Sequence, residues 1–231
     1  MSLFAIADTH LSFGTDKPMD QFYGWQDYVS RLESNWNRLV SDEDTVVIAG
    51  DISWAMNFEE LKKDFAYIND TLSGEKIILK GNHDYWWNTK SKMDKFLLEN
   101  HFDKIKILNN NAEQTGPVVV CGSRGWPFDS EDGHDVKMLG REAGRLRMSL
   151  DSGKKLEGER IVFLHYPPVN VNESCDEILG LLREEEISRC YYGHLHGDAA
   201  RYSVNKTIEN IKFSLISADY LGFCPILIEK F

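Results

Sequence analysis

Five short stretches of the chain carry side chains that bind metal ions, and each follows a run of apolar residues typical of a β-strand. The stretches are Asp8-Thr9-His10, Gly50-Asp51, Gly81-Asn82-His83-Asp84, His165 and Gly193-His194-Leu195-His196. Five of the seven histidines lie in them, which scattered surface histidines would not do. Carboxylate and amide oxygens with imidazole nitrogens, and without a thiolate, suit Mn²⁺, Fe, Zn²⁺ or Mg²⁺. The pattern therefore predicts a metal site at strand ends.

Strand ends are a natural place for such a site, because ligands of open α/β sheets gather beyond the carboxyl ends of the strands. Asp8 and His10 are two residues apart, so an extended backbone directs both side chains to the same side. The glycines before Asp51, Asn82 and His194 permit close backbone approach where a strand turns into a loop. One stretch alone is explained equally well by a turn or a helix cap. The five together favour the metal site.

The five stretches, in this order, resemble the signature blocks of the calcineurin-like metallophosphoesterase superfamily, over positions 8 to 196. The resemblance implies an α/β fold, a four-layer α/β/β/α sandwich with two mixed sheets and a dinuclear metal site at the strand C-terminal ends. It implies one metal ion held by Asp8, His10, Asp51 and His196. It implies a second ion held by Asp51 as the bridge together with Asn82, His165 and His194.

The implied activity is metal-dependent hydrolysis of phosphomonoesters or phosphodiesters, because two cations roughly 3.5–4 Å apart suit in-line displacement at phosphorus. A water shared by the ions would lose its proton and attack. The resemblance places His83 at the leaving group and makes Asp84 the residue that orients it. The alternative for Asp84 is a cap or turn residue. Two divalent ions are expected as cofactors, Mn²⁺ first, with Fe, Zn²⁺ or Mg²⁺ as alternatives.

The residues around the blocks separate this chain from well-known branches of the superfamily. Ile52-Ser53-Trp54 follows Asp51, where protein serine/threonine phosphatases continue with Arg-Gly and purple acid phosphatases have tyrosine at the position of Trp54. The UDP-sugar hydrolases share the opening Asp8-Thr9-His10-Leu11 but have arginine at the position of His83. The chain is most similar to small stand-alone bacterial or archaeal predicted phosphohydrolases.

Three residues near the blocks are candidates for substrate binding. Arg124 follows a predicted strand and could hold a phosphate with two hydrogen bonds; a surface ion pair is an equal alternative. Trp86 and Trp126 could stack on an organic group, as could Trp54, Tyr85 and Trp87 beside the blocks, and core or rim packing is the alternative for each. Arg141 and Arg145 share a helix face, which is either solvated or part of a lid.

Composition narrows the choice of compartment and partner. The 231 residues fit one domain, 1–231, and a content of 42% hydrophobic and 27% charged residues is that of a globular protein. A net charge of −11 disfavours nucleic acid and leaves a phosphate-ester small molecule as the expected substrate. No apolar run reaches the roughly 18 residues of a membrane span, and no signal peptide is evident. Four cysteines without C-x-x-C spacing indicate reduced thiols and a cytoplasmic location.

The elements that must position the blocks follow from periodicity. Strands are predicted at Leu3–Ala7, Thr45–Ala49, Lys76–Lys80, Lys104–Leu108, Val118–Cys121, Arg160–Leu164 and Ile187–Tyr192, and helices at Tyr28–Val40, Phe58–Leu72, Thr89–Asn100, Val136–Leu150 and Cys175–Glu185. Asn57 is predicted to cap the second helix. Asp129–Asp135 is predicted as a solvated loop. An antiparallel meander is predicted at Ala200–Asn205, Ile211–Ala218 and Pro225–Lys230.

Two other functions are compatible with this fold. A nuclease of the same superfamily is the first alternative. A metal-free binding scaffold is the second and the weaker one, because such proteins have usually lost ligands and all seven are present here.

Overall fold

A computed structural model describes residues 1–126 and 136–231 and shows helices packed on two mixed β-sheets. The strands are β1 Ser2–Ile6, β2 Thr45–Ala49, β3 Glu75–Leu79, β4 Ile105–Ile107, β5 Glu113–Thr115, β6 Val118–Ser123, β7 Glu159–Leu164, β8 Arg189–Tyr192, β9 Thr207–Ile208, β10 Ile211–Leu215 and β11 Ile226–Lys230. The helices are α1 Tyr28–Leu39, α2 Phe58–Ala66, α3 Lys90–Glu99, α4 Val136–Gly153 and α5 Asp176–Glu184.

Both sheets have parallel strands in the middle and antiparallel strands at the edges. The first sheet has the order β11-β1-β2-β3-β4, in which only β11 is antiparallel to its neighbour. The second has the order β5-β6-β7-β8-β10-β9, with β5 and β9 antiparallel. The inner strands are buried on both faces, which is why they appear in the sequence as continuous apolar runs.

Three clusters of buried side chains form the core. One joins the two sheets and includes Leu3 and Ile77 of the first sheet and Phe163 of the second. A second cluster places residues of α1, α2 and α3 on the first sheet, with Phe65 at its centre. The third places α4 and α5 on the second sheet, with Leu182 fully buried. Each sheet is therefore held on both faces, which fixes the loops at its strand ends.

The predicted meander after residue 200 is wrong. A 3₁₀ helix occupies Gly197–Tyr202 in place of the first predicted strand. Strand β10 pairs in parallel with β8, and β11 crosses to the other sheet, where it pairs antiparallel with β1. The alternation of apolar residues in a strand specifies which side is buried but not which strand is its partner. Strands β5 and β9 were too short to predict.

The predicted loop Asp129–Asp135 lies outside the described residues. All four cysteines are free thiols, and Cys121 and Cys190 are fully buried, whereas Cys224 is partly exposed. Within residues 1–126 and 136–231 no helix has the length and apolar character needed to cross a membrane.

The cap of α2 is confirmed, although the α-helix ends at Ala66 and continues as one π-helical turn over Tyr67–Thr71. The side chain of Asn57 accepts hydrogen bonds from the backbone N–H groups of Glu59 and Glu60, both at 3.0 Å. These two donors have no partner inside the helix, so the cap satisfies them.

We expect Asn57→Ala to lower the free energy of unfolding by about 1 kcal/mol, because two helix N–H groups lose their acceptor. Urea denaturation of the variant and of the wild type measures this difference. Lys62→Ala is the matched control, because Lys62 is exposed on the same helix. An equal loss in both variants would mean that the cap contributes nothing specific.

Candidate metal centre

The backbone turns sharply at four of the predicted ligands. Asp8, His10, Asp51 and His194 have positive φ angles of 60°, 44°, 48° and 73°. This left-handed conformation is uncommon for residues other than glycine and is concentrated at functional sites. Asp8 follows β1 by two residues, and Asp51 and His194 follow β2 and β8 by the same distance. The strand ends thus bend so that their next side chains meet at one place.

Two of the motif glycines are required because the loops touch. A Cβ atom on Gly81 would lie 2.1 Å from the backbone nitrogen and the Oδ1 atom of Asp51. A Cβ atom on Gly193 would lie 2.5 Å from Oδ2 of Asp8. The third motif therefore packs directly on the second, and the fifth packs on the first. No other residue type leaves space for the two carboxylates.

Asp8, His10 and His196 form the first group of ligand atoms. The Nε2 atoms of His10 and His196 are 3.4 Å apart, and Nε2 of His196 is 3.4 Å from Oδ1 of Asp8. Asp51 adds its Oδ2 atom 3.7 Å from Nε2 of His10. Asp51 thus lies beside the group of Asp8, His10 and His196 and contacts it through His10.

Asp51, Asn82, His165 and His194 form the second group. The same Oδ2 atom of Asp51 lies 3.6 Å from Nε2 of His165. Oδ1 of Asn82 is 2.6 Å from Nε2 of His165 and 3.0 Å from Nδ1 of His194. The structure therefore brings all seven predicted ligands together, with one oxygen of Asp51 between the two groups.

The donor chemistry of these groups fits cations. Nδ1 of His165 lies 3.2 Å from the carbonyl oxygen of Ala49, which can only accept, so Nδ1 carries the hydrogen. Nε2 of His165 therefore presents a lone pair to Oδ1, the side-chain amide oxygen of Asn82. Two acceptors face each other in this way when they share a cation. Ligands about 2.1 Å from one ion stand roughly 3–3.5 Å apart. Nε2 of His10 and Nε2 of His196 have this separation, at 3.4 Å, whereas Oδ1 of Asn82 and Nε2 of His165 are closer, at 2.6 Å.

Charge at the centre leads to the same conclusion. Asp8 and Asp51 are almost completely buried side by side. Burial and the neighbouring Asp8 raise the pKa of Asp51 to about 8. Burial also acts to raise the pKa of Asp8, but His196 and two further imidazoles outweigh it and hold that pKa well below its usual value. One site cannot hold two buried carboxylates as anions without positive charge, which divalent ions supply.

The imidazoles fall into two classes. Burial lowers the pKa values of His10 and His165, and burial together with His165 lowers that of His194 to about 3. These three rings are neutral at physiological pH, as metal ligands must be. Burial opposes the charging of His196, but Asp8 and Asp219 outweigh it and raise that pKa to about 10.

His83 belongs to the centre without being placed as a ligand. Its backbone N–H donates to Oδ1 of Asp51 at 2.7 Å. Its half-buried ring lies 4.6 Å from the ring of Trp54 and 5.9 Å from that of His10, measured between centroids. The hydroxyl of Tyr85 lies 3.4 Å from Nδ1 of His83. The imidazole is thus beside the ligands, with one nitrogen next to a hydroxyl.

Asp84 makes contacts other than those predicted. Its Oδ1 atom accepts from the backbone N–H groups of Ile52 at 2.9 Å and Ser53 at 3.3 Å, and its Oδ2 atom accepts from Gly81 at 2.7 Å. The side chain is fully buried, whereas the His83 ring reaches solvent, so the two point apart. Among the described residues Asp84 does not bond the His83 ring. It ties the second motif to the third.

Two of the three candidates for substrate binding, Trp86 and Trp126, are buried. Trp86 is 1% exposed and packs on Phe65 and Trp87, so the core-packing alternative describes its position and its ring is not open to a substrate in this structure. Trp126 is also buried, with the guanidinium of Arg124 5.7 Å from its ring centre. A large indole next to a strand end completes the core because its apolar area is too great to leave in water.

The partly exposed aromatic rings at the centre are instead Trp54 and Tyr85. Trp54 stacks on His10, with 4.9 Å between ring centroids. Arg124 lies 3.4 Å from Glu142 and is about a quarter exposed, so it forms an ion pair and still faces solvent.

One residue of the centre was not predicted. Oδ1 of Asp219 accepts from Nδ1 of His196 at 2.9 Å, and Oδ2 accepts from the backbone N–H of Gly197 at 2.8 Å. This contact places the hydrogen of His196 on Nδ1 and leaves Nε2 directed at Asp8. The sequence signal for this contact was an aspartate after the predicted strand Ile211–Ala218. The predicted meander did not pair that strand with β8, whose end carries His196.

We expect Asp219→Asn to weaken Mn²⁺ binding by about 10- to 100-fold. An amide has one acceptor where the carboxylate has two, so either His196 or Gly197 loses its partner. Isothermal titration with Mn²⁺ measures the effect. Asp198→Asn is the matched control, because Asp198 is an exposed acid on the adjoining 3₁₀ helix. Unchanged affinity in Asp219→Asn would show that the contact does not position His196.

Comparison with known proteins agrees with this geometry. The family model of calcineurin-like phosphoesterases matches residues 1–198. A protein of unknown function from Aquifex aeolicus has a similar structure, with 17% identity, a TM-score of 0.52 and coverage of 98% of this chain and 95% of its own. The protein TT1561 of Thermus thermophilus also has a similar structure, with 12% identity, a TM-score of 0.54 and coverage of 84% of this chain and 81% of its own. These likenesses show the fold, and no curated protein matches. The matched residues contain all five motifs, and the chain belongs to the calcineurin-like phosphoesterase family, which implies a metal-dependent hydrolase with a dinuclear divalent metal site.

Proposed function

We propose that the protein hydrolyses phosphomonoesters or phosphodiesters with two divalent ions, most readily Mn²⁺. The observation that carries this proposal is the position of Asp51, whose Oδ2 atom lies 3.7 Å from Nε2 of His10 and 3.6 Å from Nε2 of His165. A carboxylate oxygen shared by two sets of ligands is the arrangement of a bridging ligand. Fe, Zn²⁺ and Mg²⁺ suit the same donors.

The proposed ligands divide as the two groups do. The first ion takes Asp8, His10, Asp51 and His196. The second takes Asp51, Asn82, His165 and His194. When bound, two such ions lower the pKa of water toward neutrality and neutralise charge on a phosphoryl group. The three core clusters support the further proposal that the sheets and helices form a four-layer sandwich with this site at its rim.

The chain holds these ligands rigidly before any substrate arrives. The backbone N–H of His194 donates to the carboxylate of Asp8 at 2.9 Å, as that of His83 does to Asp51. Ala49 and Asp219 fix the rings of His165 and His196 through their Nδ1 atoms. Ligands oriented in this way need little rearrangement during the reaction.

His83 is proposed to assist the leaving group. Its ring lies beside the ligands, is half-buried and makes no ion pair within the described residues. Because Nδ1 is next to the Tyr85 hydroxyl, Nε2 is the atom that donates a proton or hydrogen bond to the departing oxygen. Trp54 packs against the rings of both His10 and His83 and so helps to hold the two imidazoles next to each other.

We expect the purified protein with Mn²⁺ to hydrolyse p-nitrophenyl phosphate, bis(p-nitrophenyl) phosphate or both, and to stop when EDTA removes the ions. Release of p-nitrophenol measures the rate, and elemental analysis measures bound metal. The ratio of the two rates decides between monoester and diester preference. A metal-loaded protein that hydrolyses neither ester nor any nucleotide would contradict the proposal.

We expect His83→Ala to keep both ions but to slow turnover by about 10²- to 10⁴-fold, because the chain loses the group next to the leaving oxygen. Asp51→Asn should lose metal, because its carboxylate belongs to both ligand groups. Metal content and kcat are measured for each variant. Equal metal loss in the two would mean that His83 is a ligand.

A further inference from the structure

A large cavity adjoins the metal centre but is lined by none of the seven ligands. Its volume is about 670 Å³, which is enough for a small organic molecule. It lies at the carboxyl ends of β3, β4 and β6, between the start of α3 and the first turns of α4. Its lining includes Lys80, Lys90, Asn109, Arg124, Glu142 and Arg145.

The charge of this cavity is opposite to that of the chain. Its described lining has four basic residues and one acid, Glu142, whereas the whole chain has a net charge of −11. Lys90 is paired with Asp94 at 2.9 Å, but Lys80, Arg124 and Arg145 outnumber Glu142 and create a local positive field that selects anions. In the whole chain acidic residues outnumber basic ones, 37 to 26, so an average surface of this protein would have more acids than bases.

The start of α3 adds backbone donors to the same cavity. Thr89 is the N-cap residue of this ten-residue helix, and its side chain makes no capping hydrogen bond. Thr89 and Lys90 both line the cavity. The first N–H groups of a helix carry a partial positive charge and bind phosphate well, especially beside cations.

The basic groups retain capacity for a ligand. Lys80 forms no ion pair with any described residue and is partly buried in the cavity wall. Glu142 lies 3.4 Å from Arg124 and 3.2 Å from Arg145, so one carboxylate is shared by two guanidinium groups with five N–H donors each. Nε of Arg124 is buried and has no hydrogen-bond partner within the described chain. An anion would complete the interactions of Arg124, and a protonated phosphate oxygen would donate to Oε2 of Glu142, which is also buried without a partner in the described chain.

The cavity is close enough to the metal centre to serve the same molecule. Lys80 precedes the proposed ligand Asn82 by two residues, so their Cα atoms are at most roughly 7 Å apart. The carbonyl oxygen of Arg124 accepts from the backbone N–H of His165 at 3.2 Å. Residues of the cavity wall and ligands of the second metal group thus lie either in one loop or in two loops that are hydrogen-bonded to each other.

From this juxtaposition we propose that the cavity binds a second phosphate group of the substrate, so that the substrate is a small organic molecule with two phosphate groups. The inference rests on the proposed function, since one phosphate is cleaved at the metal centre while the cavity holds the other. Trp87, Leu108 and Met138 provide apolar surface for the organic part. The net charge of −11 argues against a nucleic acid in this place.

Equilibrium binding of pyrophosphate to the full chain tests the cavity by itself. Titration calorimetry is done in EDTA, so that only protein groups hold the probe. We expect one site in the wild type and at least about tenfold weaker binding in Lys80→Met and in Arg145→Met, because each removes a charged donor. Arg145 is half exposed on α4, so its variant tests the cavity even if Lys80→Met does not fold.

Lys95→Met is the control, because Lys95 is exposed on α3 outside the cavity and should leave pyrophosphate binding unchanged. Equal binding in all variants, or none in the wild type at millimolar pyrophosphate, would overturn the inference. So would a single-stranded oligonucleotide that binds the wild type while pyrophosphate does not. Hydrolysis of p-nitrophenyl esters by the Mn²⁺-loaded wild type is measured separately, so its failure refutes the proposed function and leaves the binding result intact.

Discussion

The arrangement of the metal centre and its loops depends on two buried carboxylates, Asp8 and Asp51. Removing two like charges from water is costly unless positive charge and hydrogen-bond donors surround them. The chain supplies donors from the backbone of His194 and His83. It supplies imidazoles from the end of β1 and from two further strand ends, those of β7 and β8. What remains is a buried carboxylate pair surrounded by nitrogen ligands, three of which are neutral, and this arrangement is suited to cations.

The need to gather ligands around two buried carboxylates explains the backbone conformation of the loops as well as the choice of side chains. Ligands on separate strands reach a common point only if the chain bends abruptly after each strand, and Asp8 and Asp51 do so in left-handed conformations. Such conformations cost free energy and persist when the surrounding structure imposes them. The parallel sheets and their three core clusters impose them here. Gly81 and Gly193 then allow the loops to touch without displacing a carboxylate.

Residue type and local position carry part of the information. The seven predicted ligands follow buried strands, and both features are visible in the sequence; the confirmed cap at Asn57 is similarly local. Sequence reasoning is insufficient where the outcome depends on distant partners. The buried state of Trp86 depends on Phe65, and the hydrogen bonds of Asp84 depend on the second motif. The contact of Asp219 depends on β10 pairing with β8, which no local pattern encodes.

The crossover between β10 and β11 has a consequence for biosynthesis. Asp219 lies in this crossover, beyond the residues 1–198 that match the family. Strand β11 then pairs with β1 and forms the edge of the first sheet. During translation Asp219 and β11 leave the ribosome after all seven predicted ligands, and Asp219 follows His196 by 23 residues. We therefore expect the metal centre to reach its final form only after β10 has paired with β8 and brought Asp219 to His196.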